Sequence, residues 1–364
     1  MDLFEHLKTL TETPGPSGYE RGIANVIAGL WQPLTDQVSI DRVGSLIAVK
    51  QGSGPEPRRR LLLAAHMDEI ALMVKQIVGH NGYGFLRLTN VGGVDIRHLY
   101  GQTAVVHGQR DLPGVIGALP GHMLPKERSS KPFGYEDLVV DVGLPEEKVK
   151  ELVSVGDFIS FRQPLRKLQG TRVTGKALDN RASVAAVTVC LEYLQTRRHA
   201  WDVVAVATAQ EETRLLGAYT SAFAQKPDTA VAIDVTFGKG PGVNDNSAFE
   251  LGGGPVLDLG PNVHPGVFQG LQNAAKALEM KVHTGTHTRG SGTDAFGLQV
   301  AREGVPTGLV SIPLRYMHTM VETIDTGDVE RAGRLLGEFA ARLDDEFLPR
   351  LTAQLMEPIG NKSG

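Results

Sequence analysis

Residues 202–212 read Asp202-Val203-Val204-Ala205-Val206-Ala207-Thr208-Ala209-Gln210-Glu211-Glu212, and this stretch decides the fold. Val203 to Ala207 is a continuous apolar run rich in β-branched residues, the pattern of a strand buried on both faces. Such strands present their chemistry where they leave the sheet, at the carboxyl end. This one leaves into two adjacent acids, Glu211 and Glu212. Two carboxylates at the rim of a hydrophobic sheet cost free energy unless a cation or a shared proton compensates. A solvated acidic turn is the plain alternative. The cation is favoured because three other strands also run into acid or histidine.

Those strands lie on both sides of the first. Upstream, Arg60–Ala65 delivers His66-Met67-Asp68-Glu69; downstream, Thr229–Ile233 ends in Asp234 and Val305–Ile312 leads to His318. Helical spacing predicts helices over 2–13, 20–34, 183–195, 214–224, 267–278, 293–303 and 328–347, with a hairpin over 38–49 and a further strand over 282–288. Between about 71 and 167 the texture changes to short strands punctuated by glycine and proline: 71–78, 85–89, 103–107, 114–118, 138–142 and 157–161. A helix over 145–153 interrupts them. That is the pattern of a small barrel or sandwich. The expectation is an α/β domain split in sequence, 1–70 plus 168–364, carrying an all-β insertion over 71–167. Residues 119–135 and the Gly-rich 238–262 read as loops.

The bulk numbers narrow the function. At 364 residues the chain exceeds one comfortable core. A net charge of −4 and a pI near 6.3 give no electrostatic reason to expect nucleic acid or an anionic membrane. No run approaches the roughly 18 apolar residues of a membrane span, and the acidic amphipathic start does not read as a signal peptide. The single cysteine, Cys190, excludes an intrachain disulfide and any multi-thiolate metal site. A cytoplasmic protein is expected.

His66 with Asp68, Asp179 before a helix, Glu211-Glu212, Asp234 and His318 therefore form a nitrogen-and-carboxylate set. Such a set suits Zn²⁺, Co²⁺ or Mn²⁺ rather than a structural zinc or an iron–sulfur cluster. A carboxylate can bridge two cations, and Asp179 in the polar turn Leu178-Asp179-Asn180-Arg181 is the candidate.

Seven pieces in order carry a resemblance: Pro14-Gly15-Pro16-Ser17-Gly18-Tyr19-Glu20, Ala65-His66-Met67-Asp68-Glu69, Lys176-Ala177-Leu178-Asp179-Asn180-Arg181, Gln210-Glu211-Glu212, Ala232-Ile233-Asp234, Gly292-Thr293-Asp294-Ala295 and Pro313-Leu314-Arg315-Tyr316-Met317-His318-Thr319. Together they resemble the M42 family of cocatalytic metallo-aminopeptidases, which includes the tetrahedral (TET) peptidases and proteins once labelled endoglucanases. The resemblance implies a zinc-peptidase-like sandwich with a mixed central sheet flanked by helices. It makes the insertion a PDZ-like barrel that mediates dimerisation, with dimers assembling into a hollow dodecamer. By the same resemblance His66 and Asp234 hold one metal, Glu212 and His318 the other, and Asp179 bridges them. Glu211 is then the general base on a metal-bridging water, and Asp68 orients the His66 ring through its second nitrogen. The implied reaction is removal of N-terminal residues from short peptides. One departure stands out: after the paired glutamates the chain runs Thr213-Arg214-Leu215-Leu216, where the family has a Val-Gly turn.

Other readings compete. A metal-dependent deacylase or carboxypeptidase shares the ligand logic, and a metal-stabilised assembly scaffold without turnover is the non-enzymatic alternative. A glycosidase is disfavoured, because its carboxylates must flank a sugar some 5–10 Å apart. His283 and His287, with no acid on their own strand, read as structural or solvent-facing. Asp294 reads as a helix cap.

Overall fold

The computed structural model describes residues 1–124, 128, 132–244 and 247–356. Helices α1 (Leu3–Glu12) and α2 (Arg21–Trp31) precede the hairpin β1 (Gln37–Ile40) and β2 (Leu46–Lys50), and then β3 (Arg60–His66). The chain next enters the insertion. Strands β4 (Ala71–His80), β5 (Tyr83–Val91), β6 (Thr103–His107), β7 (Asp111–Ala118), β8 (Leu138–Pro145) and β9 (Phe158–Phe161) close into an antiparallel barrel, with α3 (Glu146–Leu152) between the last two. Closure leaves the insertion without a free sheet edge.

The returning chain forms β10 (Arg166–Lys167), β11 (Arg172–Gly175), α4 (Leu178–Tyr193), β12 (Asp202–Thr208), α5 (Glu211–Arg214), α6 (Leu216–Gln225) and β13 (Thr229–Phe237). After these come β14 (Val256–Leu259), α7 (Pro265–Ala277), β15 (His283–Thr286), α8 (Asp294–Gln299), β16 (Thr307–Arg315), β17 (Glu322–Asp325), α9 (Thr326–Ala341) and α10 (Phe347–Met356). Among the described residues, eleven strands make one mixed sheet in the order β1-β2-β12-β3-β13-β16-β17-β11-β10, with β14 branching from β16 and carrying β15. Its centre, β12-β3-β13-β16, is parallel. Every residue of β12 is buried. Both faces of the sheet are covered: α4 packs with α1 and α9 as one group, and α6 with α8 as another.

Two hydrophobic clusters result. The larger lies in the α/β layer around Leu61–Ala65, Val203–Ala207 and Ala230–Ile233; the smaller fills the barrel. Met320, from the β16–β17 loop, belongs to the barrel's cluster. The loop after His318, which belongs to the α/β layer, is thus anchored in the insertion.

The structure departs from the sequence reading in places that matter for the site. Residues 256–259 are a strand within the segment read as loop; glycines and prolines on both sides hide the short run Val-Leu-Asp-Leu that only its ladders to β15 and β16 reveal. Asp234 lies inside β13, which runs on to Phe237, rather than at its end. The helix expected over 328–347 stops at Ala341, and Phe347 opens α10 after a short turn. Parts of the 119–135 and 238–262 loops fall outside the described residues.

Candidate metal centre

Sheet register sets the deep side of the site. On parallel β12 and β3, Thr208 lies opposite His66; on β13 and β16, Asp234 lies opposite Ser311. His66 is thus the last residue of its strand, and only Ala209 and Gln210 separate β12 from Glu211. Gln210 has φ +58, a left-handed conformation that turns the chain sharply into α5. Three successive backbone N–H groups are then captured by buried acids. Gln210 donates to Glu20 Oε1 at 3.0 Å, and Glu211 and Glu212 each donate to Asp68 at 3.1 Å.

Loops supply the other side. Ala177 (φ +56) leads into Asp179, whose backbone is non-helical although it lies in the first turn of α4. Asn180 ties that turn to β13 by donating from Nδ2 to Ile233 O at 2.9 Å. His318 has φ +60 and follows Tyr316 at +63. Left-handed non-glycine residues thus cluster on the chain segments that carry the candidate ligands, where strain is tolerated if function requires it.

All six sequence-selected residues other than Asp68 converge on one cavity of about 750 Å³, and Asp68 lies directly behind His66 and Glu211. His66 Nε2 is 3.2 Å from Asp179 Oδ1 and 3.8 Å from both Glu211 Oε2 and Asp234 Oδ1. His318 Nε2 is 3.4 Å from Asp179 Oδ2 and 3.4 Å from Glu212 Oε1. The two oxygens of Asp179 therefore face different imidazoles. Two overlapping groups, His66–Glu211–Asp234 and His66–Asp179–Glu212, have ligand atoms within 4.8 Å of one another. Distance alone does not separate Glu211 from the ligands.

Charge makes this a candidate cation site. Four buried carboxylates share two imidazoles. Burial pushes Glu211 up to about 10, with Asp234 and Asp294 adding to the rise and His66 opposing it. Asp234 also rises well above the usual carboxylate range, again mainly through burial. Burial lowers His318, but its bonds to Asp179 and Glu212 more than offset this and carry it to about 11. Such a set is relieved by divalent cations, and its nitrogen and oxygen donors fit them. Asp68 Oδ1 approaches His66 Nδ1 at 3.5 Å without the alignment of a formed hydrogen bond. The firm bonds of Asp68 go to the backbone of Glu211 and Glu212.

The insertion reaches the site as well. The carbonyl of Gly93, just after β5, accepts from His318 Nδ1 at 3.0 Å. A Cβ at Gly93 would stand 2.6 Å from that nitrogen, and one at Gly92 (φ +76) 3.3 Å from Glu212 Oε2. Glycine at both positions leaves open the space that a Cβ would take beside these side chains.

Several wall residues escaped the sequence reading. Asp258 on β14 is buried and accepts from Ser311 Oγ at 2.6 Å and His287 Nε2 at 3.0 Å. Asp234 lies opposite Ser311 on β16, whose hydroxyl reaches Asp258 on β14, so the acid that His287 lacks on its own strand comes from the unrecognised one. Asp294 is not the cap of α8: Thr293 accepts from Ala295 N, while Asp294 takes the Thr208 hydroxyl. The signal for it is the Thr293-Asp294 order at a helix start, where either residue can cap.

Residues 44–335 match the family model of M42 glutamyl aminopeptidases. The chain is 36% identical over 340 residues to the lysyl aminopeptidase of Pyrococcus furiosus, covering 91% of this chain and 95% of that one. It is similar to the crystal structure of a TET aminopeptidase from a marine sediment archaeon of the Thaumarchaeota, with TM-score 0.89, 31% identity and coverage of 96% and 98%. The TET1 peptidase of Pyrococcus horikoshii, which can assemble into a tetrahedron or a large octahedral shell, matches with TM-score 0.81, 32% identity and coverage of 94% and 100%.

Proposed function

Because the chain belongs to the M42 family of aminopeptidases, we propose that it removes N-terminal residues from short peptides at a centre of two divalent metal ions. The observation that carries the reading is Asp179, whose Oδ1 faces His66 and Oδ2 faces His318. A carboxylate divided in this way suits two cations a few Å apart. On this reading His66 and Asp234 hold one ion, Glu212 and His318 the other, and Asp179 both. Zn²⁺, Co²⁺ and Mn²⁺ all accept such donors. When bound, the ions acidify a water and polarise the scissile carbonyl.

The remaining work falls to the chain's own side chains. Glu211, 9% exposed, takes a proton from the attacking water and delivers it to the leaving amine. Asp68 keeps Glu211 and Glu212 in register by holding both backbone N–H groups. The cavity admits a short peptide end, with Asp258 and His287 in the wall.

By analogy with the TET1 peptidase, the chain forms a homo-oligomer, with the 71–167 insertion as a PDZ-like dimerisation domain and a dodecamer as the assembly. Sedimentation velocity tests this; a monomer at micromolar concentration removes the assembly. A cytoplasmic site of action belongs to the same reading, since the lone, buried Cys190 suits a reducing compartment. Among the described residues no helix is long and apolar enough to cross a membrane.

Glu211→Gln tests the mechanism. Turnover of aminoacyl p-nitroanilides should fall by about 10²–10⁴-fold while both ions stay bound. Retained turnover rejects Glu211 as the base. Cleavage of N-blocked substrates at equal rate would favour a deacylase or carboxypeptidase, because an aminopeptidase needs the free amine.

A further inference from the structure

Glu322 opens β17, four residues beyond His318, and is 2% exposed. Both of its oxygens accept backbone N–H groups, and the donors lie on different loops. Oε2 takes the Asp179 N–H at 3.0 Å and Oε1 takes the His318 N–H at 3.0 Å. Sheet register explains how one side chain serves both. Glu322 lies opposite Gly175, where the chain leaves β11 toward Asp179; next to it, Thr323 lies opposite Arg315, where the chain leaves β16 toward His318. Glu322 thus stands at the foot of both loops.

A buried carboxylate is an expensive way to satisfy two amides, since desolvation disfavours its charge. Among the described residues it forms no ion pair with lysine or arginine. Its two bonds pin the one side chain that faces both imidazoles to the imidazole on the looser loop. His318 also holds a left-handed backbone (φ +60), uncommon for a residue other than glycine. A single acceptor group spanning Asp179 and His318 fixes their separation directly.

We propose that Glu322 is a positioning residue of the metal centre, setting the spacing of Asp179 and His318 and through it the affinity for the second ion. The proposal rests on the reading above that these two residues are ligands. It parallels Asp68, which spans Glu211 and Glu212 on the opposite side.

The test is titration of the metal-stripped full chain with Co²⁺ against a chromogenic chelator, comparing wild type with Glu322→Gln. Glutamine keeps the size but turns an amide N–H toward one of the two donors. The variant should bind one ion as wild type does and the other about 10–100-fold more weakly, with a changed cobalt absorption band for that ion. The thermal midpoint of the metal-stripped variant should stay near wild type. Glu322→Asp, with the charge but not the reach, should not restore the affinity. Wild-type affinity for both ions in Glu322→Gln overturns the proposal, as does equal weakening of both ions alongside a lower metal-free midpoint. If the variant fails to fold, amide exchange of the wild type decides. Protected Asp179 and His318 amides in the metal-stripped chain support the clamp, and exchange at exposed-loop rates overturns it. A wild type that binds two ions yet cleaves no peptide removes the function and leaves this assignment standing.

Discussion

The two ends of the Asp179 carboxylate meet unlike surroundings. Toward His66, the ring itself ends a central strand: it is 2% exposed, and its position follows from the parallel ladder of β12, β3 and β13. Toward His318, the side chain is 32% exposed and rides on a loop with two left-handed residues. The deep half is held by the sheet. The shallow half needs dedicated acceptors, Glu322 for its backbone and the Gly93 carbonyl for its ring, together with Met320 seated in the barrel. Two ligand sets of similar chemistry are thus built by different means, one by many shared ladder bonds and the other by a few specific ones.

The contrast breaks most visibly at the imidazoles. His66→Ala should lose both ions and all turnover, because both groups of converging ligand atoms include that ring; His318→Ala should lose one ion and keep the other. Metal analysis after dialysis reads the stoichiometry, and equal loss in both variants would erase the distinction. Proton release sharpens it next. At pH 7 the metal-stripped chain carries protons on Glu211 in the deep half and His318 in the shallow half, since their values lie near 10 and 11. Raised values mean the protonated forms persist up to those pH values, so protons compete with ions throughout the neutral range. Affinity should rise about tenfold per pH unit for each proton displaced. Calorimetry in two buffers of different ionisation enthalpy measures the release; none at pH 7 would contradict the charge analysis.

Smaller effects separate the supports. Gly93→Ala should weaken the second ion about tenfold while the barrel stays folded, because its Cβ meets His318 Nδ1 at 2.6 Å. Unchanged stoichiometry and affinity would show that the ring is indifferent to the insertion. Thr208→Val removes the hydroxyl that Asp294 accepts in the deep half. It should lower stability by about 1 kcal/mol with both ions still bound, as expected for a buried acceptor left short of a donor. A denaturant midpoint identical to wild type would discount that bond.

The same contrast governs what the sequence could reveal. His66, Glu211, Glu212 and Asp234 are announced by the apolar runs that carry them, since a buried parallel strand writes its hydrophobicity into consecutive residues. The barrel strands were legible too, through alternation and turn residues. Asp179 and His318 lie on loops with no periodic signature of their own, and only the ordered resemblance drew them in. Glu322 had no local mark at all: it is one acid among 41 Asp and Glu, and its role exists only where β11, β16 and β17 meet. Strand β14 was hidden between Gly252-Gly253-Gly254-Pro255 and Gly260-Pro261, so Asp258 and its bond to His287 were hidden with it. Local pattern records burial well and records meetings between distant segments poorly.

The Gly92–Gly93 corner carries a consequence for the molecule's history and its engineering. The insertion is a closed module, yet its Gly93 carbonyl holds the His318 ring and a Cβ at Gly92 would crowd Glu212. A barrel transplanted from a cousin must bring that diglycine corner with it, or the hybrid will fold and still be a poor host for its second cation. At this corner, as where Met320 enters the barrel, the two lobes inherit one another's mistakes.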